Sequence, residues 1–136
     1  MKKKYFLVVG ILLLLLTGWA FYLYHKPHSN TAGQDTDFRM PAAELYAAFQ
    51  QDEAGANKKF MGKVIEVNGT VSDIETGTGS TNVLISASAQ GGISCSFSTG
   101  GMPSPGSIKK GSSLIIKGRC TGFLMDVNLV DCVLKE

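Results

Sequence analysis

The chain has 136 residues, with 13 Lys and Arg against 11 Asp and Glu and a net charge of +2. Lys2, Lys3 and Lys4 precede an apolar run, and from His25 onward ten basic residues face eleven acidic ones, a balance of −1. Domains that bind nucleic acid through its phosphates normally show a clear basic excess, so this balance argues against that class. About 110 residues follow the run, enough for one small domain and not for two.

The apolar run, Tyr5–Tyr24, predicts a membrane anchor. Its twenty residues contain no charge, and at ~1.5 Å of rise each they match a hydrocarbon core ~30 Å thick. Because lysines precede the run and only Lys26 follows closely, the positive-inside rule predicts a cytoplasmic N-terminus. We therefore expect a single-pass inner-membrane protein: cytoplasmic lysines and anchor over 1–24, a linker over 25–40, and a periplasmic helix-plus-barrel domain over 41–136.

A cleaved signal peptide is the alternative for this segment. Leu7–Leu16 suits the apolar core of a signal, and Gly18-Trp19-Ala20 is an acceptable cleavage site. The apolar character continues through Leu23, which a signal peptide does not need, so we favour an uncleaved anchor. No Cys stands near the end of the run, which excludes lipid attachment there.

The residues after the anchor predict a linker and then a helix. Residues 25–34 are polar and contain Pro and Gly, as flexible linkers do. Pro41–Phe60 predicts a helix, with Pro41 in the first turn and Gly55 as a candidate break into two helices. Leu45, Phe49 and Ala56 form an apolar stripe along it, which we interpret as packing on a β core.

From Gly62 the pattern changes to short apolar segments typical of strands. The predicted strands are Lys63–Asp73, Asn82–Ser86, Gly92–Phe97, Ser112–Cys120 and Asp126–Leu134. Gly69 inside the first suggests a bulge or coil, and residues 77–80 suggest a hairpin loop. Five strands after one helix in ~100 residues predict a mainly β fold, a five-stranded OB-fold barrel preceded by an α-helix, with an SH3-like barrel as the nearest competitor.

Three segments carry a likeness to a known family: Lys63–Val71, Gly92–Phe97 and Lys117–Val127, the last being the most specific. With the helix ahead of them, they resemble the tRNA_anti-like family of bacterial OB-fold proteins, which carry an N-terminal anchor or signal. The resemblance covers nearly the whole chain and implies an OB-fold, but little about activity, because fold does not fix function. OB-folds often place a helix between strands three and four. Ser98–Ser107 is short and rich in Gly and Pro, so we expect that helix to be missing.

The three cysteines fit an oxidising compartment in which two pair and one is left over. Cys120 and Cys132 flank the last predicted hairpin, where a disulfide would need ~5.5–6 Å between Cα atoms. Cys95–Cys132 is the competing pair, because strands three and five are neighbours in an OB barrel, and reduced buried thiols are the third alternative. No C-x-x-C motif exists, and His25 and His28 belong to the linker, so we predict neither a metal site nor a cofactor.

A candidate ligand face comes from basic residues of the last predicted strands. The proposed members are Lys109, Lys110, Lys117, Arg119, Phe97 and Phe123. OB-folds that bind single strands combine such charges with aromatic platforms, and ordinary solvated lysines are the simpler interpretation. The carboxylates Asp73, Glu75, Asp126 and Asp131 are interpreted as solvated residues at strand ends.

The sequence predicts a binding module and not an enzyme. No His follows His28, so nucleophilic catalysis has no imidazole base inside the domain. The first hypothesis is a membrane-anchored OB domain that binds an envelope protein, peptide or glycan. Its binding surface would be predicted strands two and three, with the Ile74–Thr81 and Thr121–Met125 loops. The alternative is a single-stranded nucleic-acid-binding OB domain.

Overall fold

The computed structural model describes residues 1–24, 31–98, 100–101, 103–104 and 106–135. His25 and His28 lie outside this part of the chain. In order, the elements are α1 (Lys2–Tyr24), a short 3-10 helix (Thr31–Gly33), β1 (Phe38–Pro41), α2 (Ala42–Gln51), α3 (Glu53–Phe60), β2 (Val64–Gly77), β3 (Ser80–Ser86), β4 (Gly92–Ser98), β5 (Ser113–Phe123) and β6 (Val127–Lys135).

Strands β2 to β6 close into a barrel. Antiparallel pairing joins β2 to β3, β3 to β4 and β6 to β5, and a parallel pairing joins β4 to β6. The antiparallel pairing of β2 with β5 closes the ring, and β1 adds a parallel strand beside the first half of β2. The prediction of a mainly β, five-stranded OB-fold barrel is confirmed. No helix occurs between β4 and β5 in the described residues of that loop.

Strand β2 is long because it pairs with two other strands, one after the other. Its first half pairs with β5 and its second half with β3, and the register with β3 shifts between Val71 and Asp73. The predicted irregularity therefore exists, but it lies beyond Gly69. Gly69 has a different purpose: a Cβ there would lie 2.4 Å from Cγ2 of Ile85. The barrel wall needs a glycine at this position because β3 approaches so closely.

The predicted helix Pro41–Phe60 is two helices that break at Asp52 and not at Gly55. Asp52 has an extended backbone (φ −152°), and its Oδ1 accepts a hydrogen bond from the Gly55 N–H at 3.0 Å. This is N-capping, which satisfies a free backbone donor at the start of α3. Pro41 was expected in the first turn, but it ends β1 and caps α2 with an extended backbone.

The core fills the barrel and the surface beneath the two helices. The predicted stripe is buried, with Leu45 and Phe49 at 0–1% exposure and Ala56 at 5%. The ring of Phe49 lies between Phe60 and Phe123, with centroid distances of 5.9 and 5.7 Å. Every member of the buried apolar cluster belongs to residues 42–132, and α1 contributes no buried residue. The domain therefore has its complete core without α1 and can fold without it.

Helix α1 covers the predicted anchor. It has 23 residues and a mean hydropathy of 2.4 over its best window, which makes it long and apolar enough to cross a membrane. The described part of the predicted linker, residues 31–40, makes specific contacts with the barrel. Asp37 pairs with Val64 twice: its N–H donates to the Val64 carbonyl at 2.8 Å, and its Oδ2 accepts from the Val64 N–H at 2.9 Å. Residues 31–40, expected to be linker, thus pack on the barrel.

Candidate ligand-binding face

The four basic residues of the predicted ligand face do not share one surface. Lys109 and Lys110 lie exposed in the loop before β5, and Lys110 Nζ is 3.6 Å from Asp73 Oδ1. Lys117, by contrast, is only 5% exposed. A buried ammonium is expensive unless it is hydrogen-bonded, so Lys117 needs a partner within the protein.

Lys117 and Arg119 bind Gln34, in the chain's own segment ahead of β1. Lys117 Nζ donates to the backbone carbonyl of Gln34, and Arg119 Nη2 donates to Gln34 Oε1. Arg119 Nη1 also donates to the Gly62 carbonyl at 2.8 Å. Thr31, at the start of the same segment, is fully buried. We call this arrangement the Gln34 clamp. It occupies two of the four cations that the sequence suggested for a ligand.

The two predicted aromatic platforms are also occupied. Phe97 has no exposed surface and belongs to the core. Phe123 is half-buried, stacked on Phe49 at 5.7 Å and set edge-to-face against Tyr46 at 5.7 Å. Strands β2, β3 and β4 contain no other ring. The face these strands form therefore has no aromatic side chain on which a base can stack.

The outer face of β2, β3 and β4 carries a groove of about 160 Å³. We call this groove the acidic face; it is lined by Asp73, Glu75, Asn82, Leu84, Ser94 and Asp126. Strand register brings them together, since Asp73 lies opposite Leu84, Glu75 opposite Asn82, and Leu84 opposite Ser94. Half of the lining residues are carboxylates, so the local potential repels phosphate groups.

The Asp126 carboxylate is held at the rim of this groove by the first residue of β4. Its Oδ1 accepts a hydrogen bond from the Gly92 N–H at 2.7 Å, a short, charge-assisted contact. Its backbone carbonyl accepts from the Leu124 N–H at 3.2 Å, which closes the β5–β6 turn. The sequence offered a signal for Asp73 and Glu75, because residues two apart on a strand share a face. Nothing in the sequence linked Asp126 to Gly92.

All three cysteines are free and buried. Cys120 lies opposite Leu129 in the β5–β6 ladder, and Cys132 lies near enough to Cys95 for that thiol to affect its titration. Burial raises the pKa of the Cys132 thiol well above its ordinary 9.0, and Cys95 raises it further. Burial also raises the pKa of Cys120, against a hydrogen bond from the Gly122 backbone. Such thiols are protonated and unreactive near neutral pH.

In the described part of the chain, no group of three or more His, Cys, Asp or Glu side chains is arranged to hold a metal ion. The carboxylates of the acidic face lie around a groove without a histidine or a thiol. The groove can accept hydrogen bonds and attract positive charge.

Comparisons with known proteins identify a family and a fold. A family model described as tRNA_anti-like matches residues 1–134. No protein of curated function matches the chain. Among solved structures, a lipoprotein of Klebsiella pneumoniae subsp. pneumoniae MGH 78578, described as a candidate nucleic acid-binding protein, is 16% identical with a TM-score of 0.63 and covers 82% of this chain and 100% of its own. That likeness shows the fold alone. An OBody bound to hen egg-white lysozyme is 13% identical, with a TM-score of 0.43, over 56% of this chain and 84% of its own.

Proposed function

The chain belongs to the tRNA_anti-like family, and we propose that it is a single-pass membrane protein that presents a non-enzymatic OB-fold binding module. In this proposal the N-terminus lies in the cytoplasm and the barrel lies in the periplasm. The long apolar helix α1 and the three lysines at its start support the anchor and its orientation.

The proposal for the partner rests on the charge of the acidic face. This face lies on the strands that OB-folds use to bind oligonucleotides and oligosaccharides, yet Asp73, Glu75 and Asp126 surround it and no ring faces it. Carboxylates at this position attract Lys and Arg side chains and repel phosphates. The favoured ligand is therefore a positively charged protein or peptide of the cell envelope.

Single-stranded nucleic acid is the second candidate. The description of the Klebsiella lipoprotein and the exposed pair Lys109 and Lys110 support it. Against it stand the two occupied cations of the Gln34 clamp and the buried ring of Phe97. Binding of this class would depend steeply on salt.

Fluorescence anisotropy with the soluble fragment 31–136 separates the two candidates. The probes are a labelled oligolysine peptide and a labelled single-stranded oligonucleotide, each titrated at low salt. We expect the fragment to bind the peptide and not the oligonucleotide. The double variant Asp73→Lys/Glu75→Lys reverses two charges on the acidic face and is expected to weaken peptide binding about tenfold or more, as loss of close charge pairs does.

The matched control is Asp35→Lys/Glu53→Lys, which makes the same change in net charge at exposed positions away from the groove. It should retain peptide binding. Equal losses in both double variants would mean that only net charge matters and would remove the acidic face as a site. Salt-sensitive oligonucleotide binding by the wild-type fragment would instead favour the second candidate.

A further inference from the structure

The β5–β6 hairpin ends in apolar side chains that nothing in the described structure covers. Leu124 and Met125 are 84% and 79% exposed, and Met61 at the end of α3 is 51% exposed. The Met61 side chain lies against the same hairpin, because a Cβ added at Gly122 would be 3.5 Å from the Met61 Cε. Met61 and Leu124 line one open groove of about 500 Å³. We call Met61, Leu124 and Met125 the apolar tip. Contiguous apolar surface of this kind marks an interaction site.

Basic residues lie on either side of Met61 in the chain. Lys58 lies in the last turn of α3 and Lys63 follows that helix, and both are exposed. Their segment is tied to β5 at Cys120, four residues before Leu124, since the Gly62 N–H donates to the Cys120 carbonyl at 2.7 Å and the Cys120 N–H donates to the Lys63 carbonyl at 2.9 Å. The carboxylate of the hairpin itself, Asp126, is engaged by the Gly92 N–H. Apolar side chains flanked by lysines suit the surface of an anionic bilayer.

The chain itself keeps the domain near such a surface. Only six residues separate Tyr24, the end of α1, from Thr31, the start of the ordered domain. Fully extended, that connection spans at most ~25 Å. Trp19 and Tyr24 near the end of α1 favour the headgroup region. The domain therefore begins within ~25 Å of the headgroups.

The Gln34 clamp places the incoming chain on one strand of the barrel. It fixes the incoming chain to Lys117 and Arg119 on β5. Leu124 follows β5 directly and comes five residues after Arg119, at most ~17 Å away at ~3.4 Å per residue. The entry point thus lies on β5 and the apolar tip at the turn that follows it, both within reach of the bilayer.

We propose that the apolar tip inserts into the headgroup region of the anionic bilayer that α1 crosses. The proposal rests on the membrane anchor of the proposed function. Insertion adds a second, weak attachment and holds the barrel in one orientation. A second copy of the chain is the competing occupant of the tip.

Vesicle co-sedimentation of fragment 31–136, which contains the whole core, tests the tip without the anchor. The vesicles are phosphatidylcholine with phosphatidylglycerol, or phosphatidylcholine alone. We expect the wild-type fragment to sediment with the anionic vesicles. The double variant Leu124→Ser/Met125→Ser should lower the partition coefficient about tenfold or more, because its side chains no longer transfer apolar surface out of water. The control variant Ile115→Ser changes an apolar residue that is 40% exposed near the start of β5. Its partition coefficient should stay within about twofold of the wild-type value.

Charge variants test the lysines. Lys58→Gln/Lys63→Gln should weaken binding to the anionic vesicles, whereas Lys109→Gln/Lys110→Gln, with the same loss of charge elsewhere, should not. Sedimentation of wild type and Leu124→Ser/Met125→Ser to equal extents would overturn the proposal, and so would absence of wild type from anionic vesicles. Self-association that depends on Leu124 and Met125, without vesicle binding, would assign the tip to a second copy. Fractionation of the full chain tests the anchor separately, so failure of the tip leaves the proposed function standing.

Discussion

Cys132 shows how one buried side chain links packing to pH. Its thiol lies in the core beside the thiol of Cys95, and a Cβ on Gly118 would come within 2.6 Å of its sulfur. Burial disfavours the thiolate, so the pKa of Cys132 is raised in the folded protein. The folded state therefore binds this proton more tightly than the unfolded chain does. The resulting stability is fully present below the ordinary pKa of 9.0 and is lost as the pH rises toward the higher folded value.

We expect the free energy of unfolding of fragment 31–136, measured by urea denaturation under reducing conditions, to fall as the pH rises above about 9. The Cys132→Ala variant should be less stable at neutral pH, but its pH slope should be shallower by up to ~1.4 kcal/mol per pH unit. Val133→Ala removes neighbouring apolar atoms without a thiol and should keep the wild-type slope. An unchanged slope in Cys132→Ala would mean that other groups cause the alkaline loss.

At the scale of elements, the sequence predicted most of the fold but not its long-range features. The Val- and Ile-rich segments and the Gly-rich turns located five strands, because alternation and turn chemistry are local. Strand β1 was missed, since Phe38–Pro41 is too short to show a period and is a strand only through parallel pairing with β2. The helix break was placed at Gly55, although the Asp52 side chain forms it.

Gly69 offers an element-scale prediction for β2. A Cβ at this position would lie 2.4 Å from Cγ2 of the fully buried Ile85 and 3.2 Å from Cβ of Ala42. Gly69→Ala is expected to lower the free energy of unfolding by ~1–3 kcal/mol, as overpacking of a core does. Gly77→Ala, at the end of the same strand with its nearest contact at 3.6 Å, should change it by less than ~0.5 kcal/mol. Equal stabilities of the two variants in chemical denaturation would refute the close approach of β3.

The candidate site was less predictable than the fold, for a physical reason. In the sequence, Lys117 and Arg119 look like solvated cations. Their partner, Gln34, lies 83 residues before Lys117 in the chain, so only the fold shows that they are hydrogen-bonded. The acidic face forms where β2, β3 and the β5–β6 turn converge, so its carboxylates are distant in the chain. A single sequence shows which side chains can share a strand face, but not which faces meet across the barrel.

At the scale of the whole molecule, the chain joins an apolar helix to a barrel with its own core. The helix has no buried residue, and the barrel needs none from it. The six residues between Tyr24 and Thr31 and the Gln34 clamp keep the two parts close. The clamp on β5 and the apolar tip at the turn after it are the two places where the domain is proposed to meet the anchor and the membrane.

The central claim is that the barrel stands outside the cytoplasm on an uncleaved anchor, and a C-terminal fusion tests it most directly. The reporter is a phosphatase that becomes active only after it forms disulfides outside the cytoplasm. We predict an active, full-length fusion in the membrane fraction, and an inactive reporter when residues 1–30 are removed. An inactive reporter on a stable full-length fusion would reverse the orientation, and an active one released as a shortened soluble protein would show that the helix is a cleaved signal.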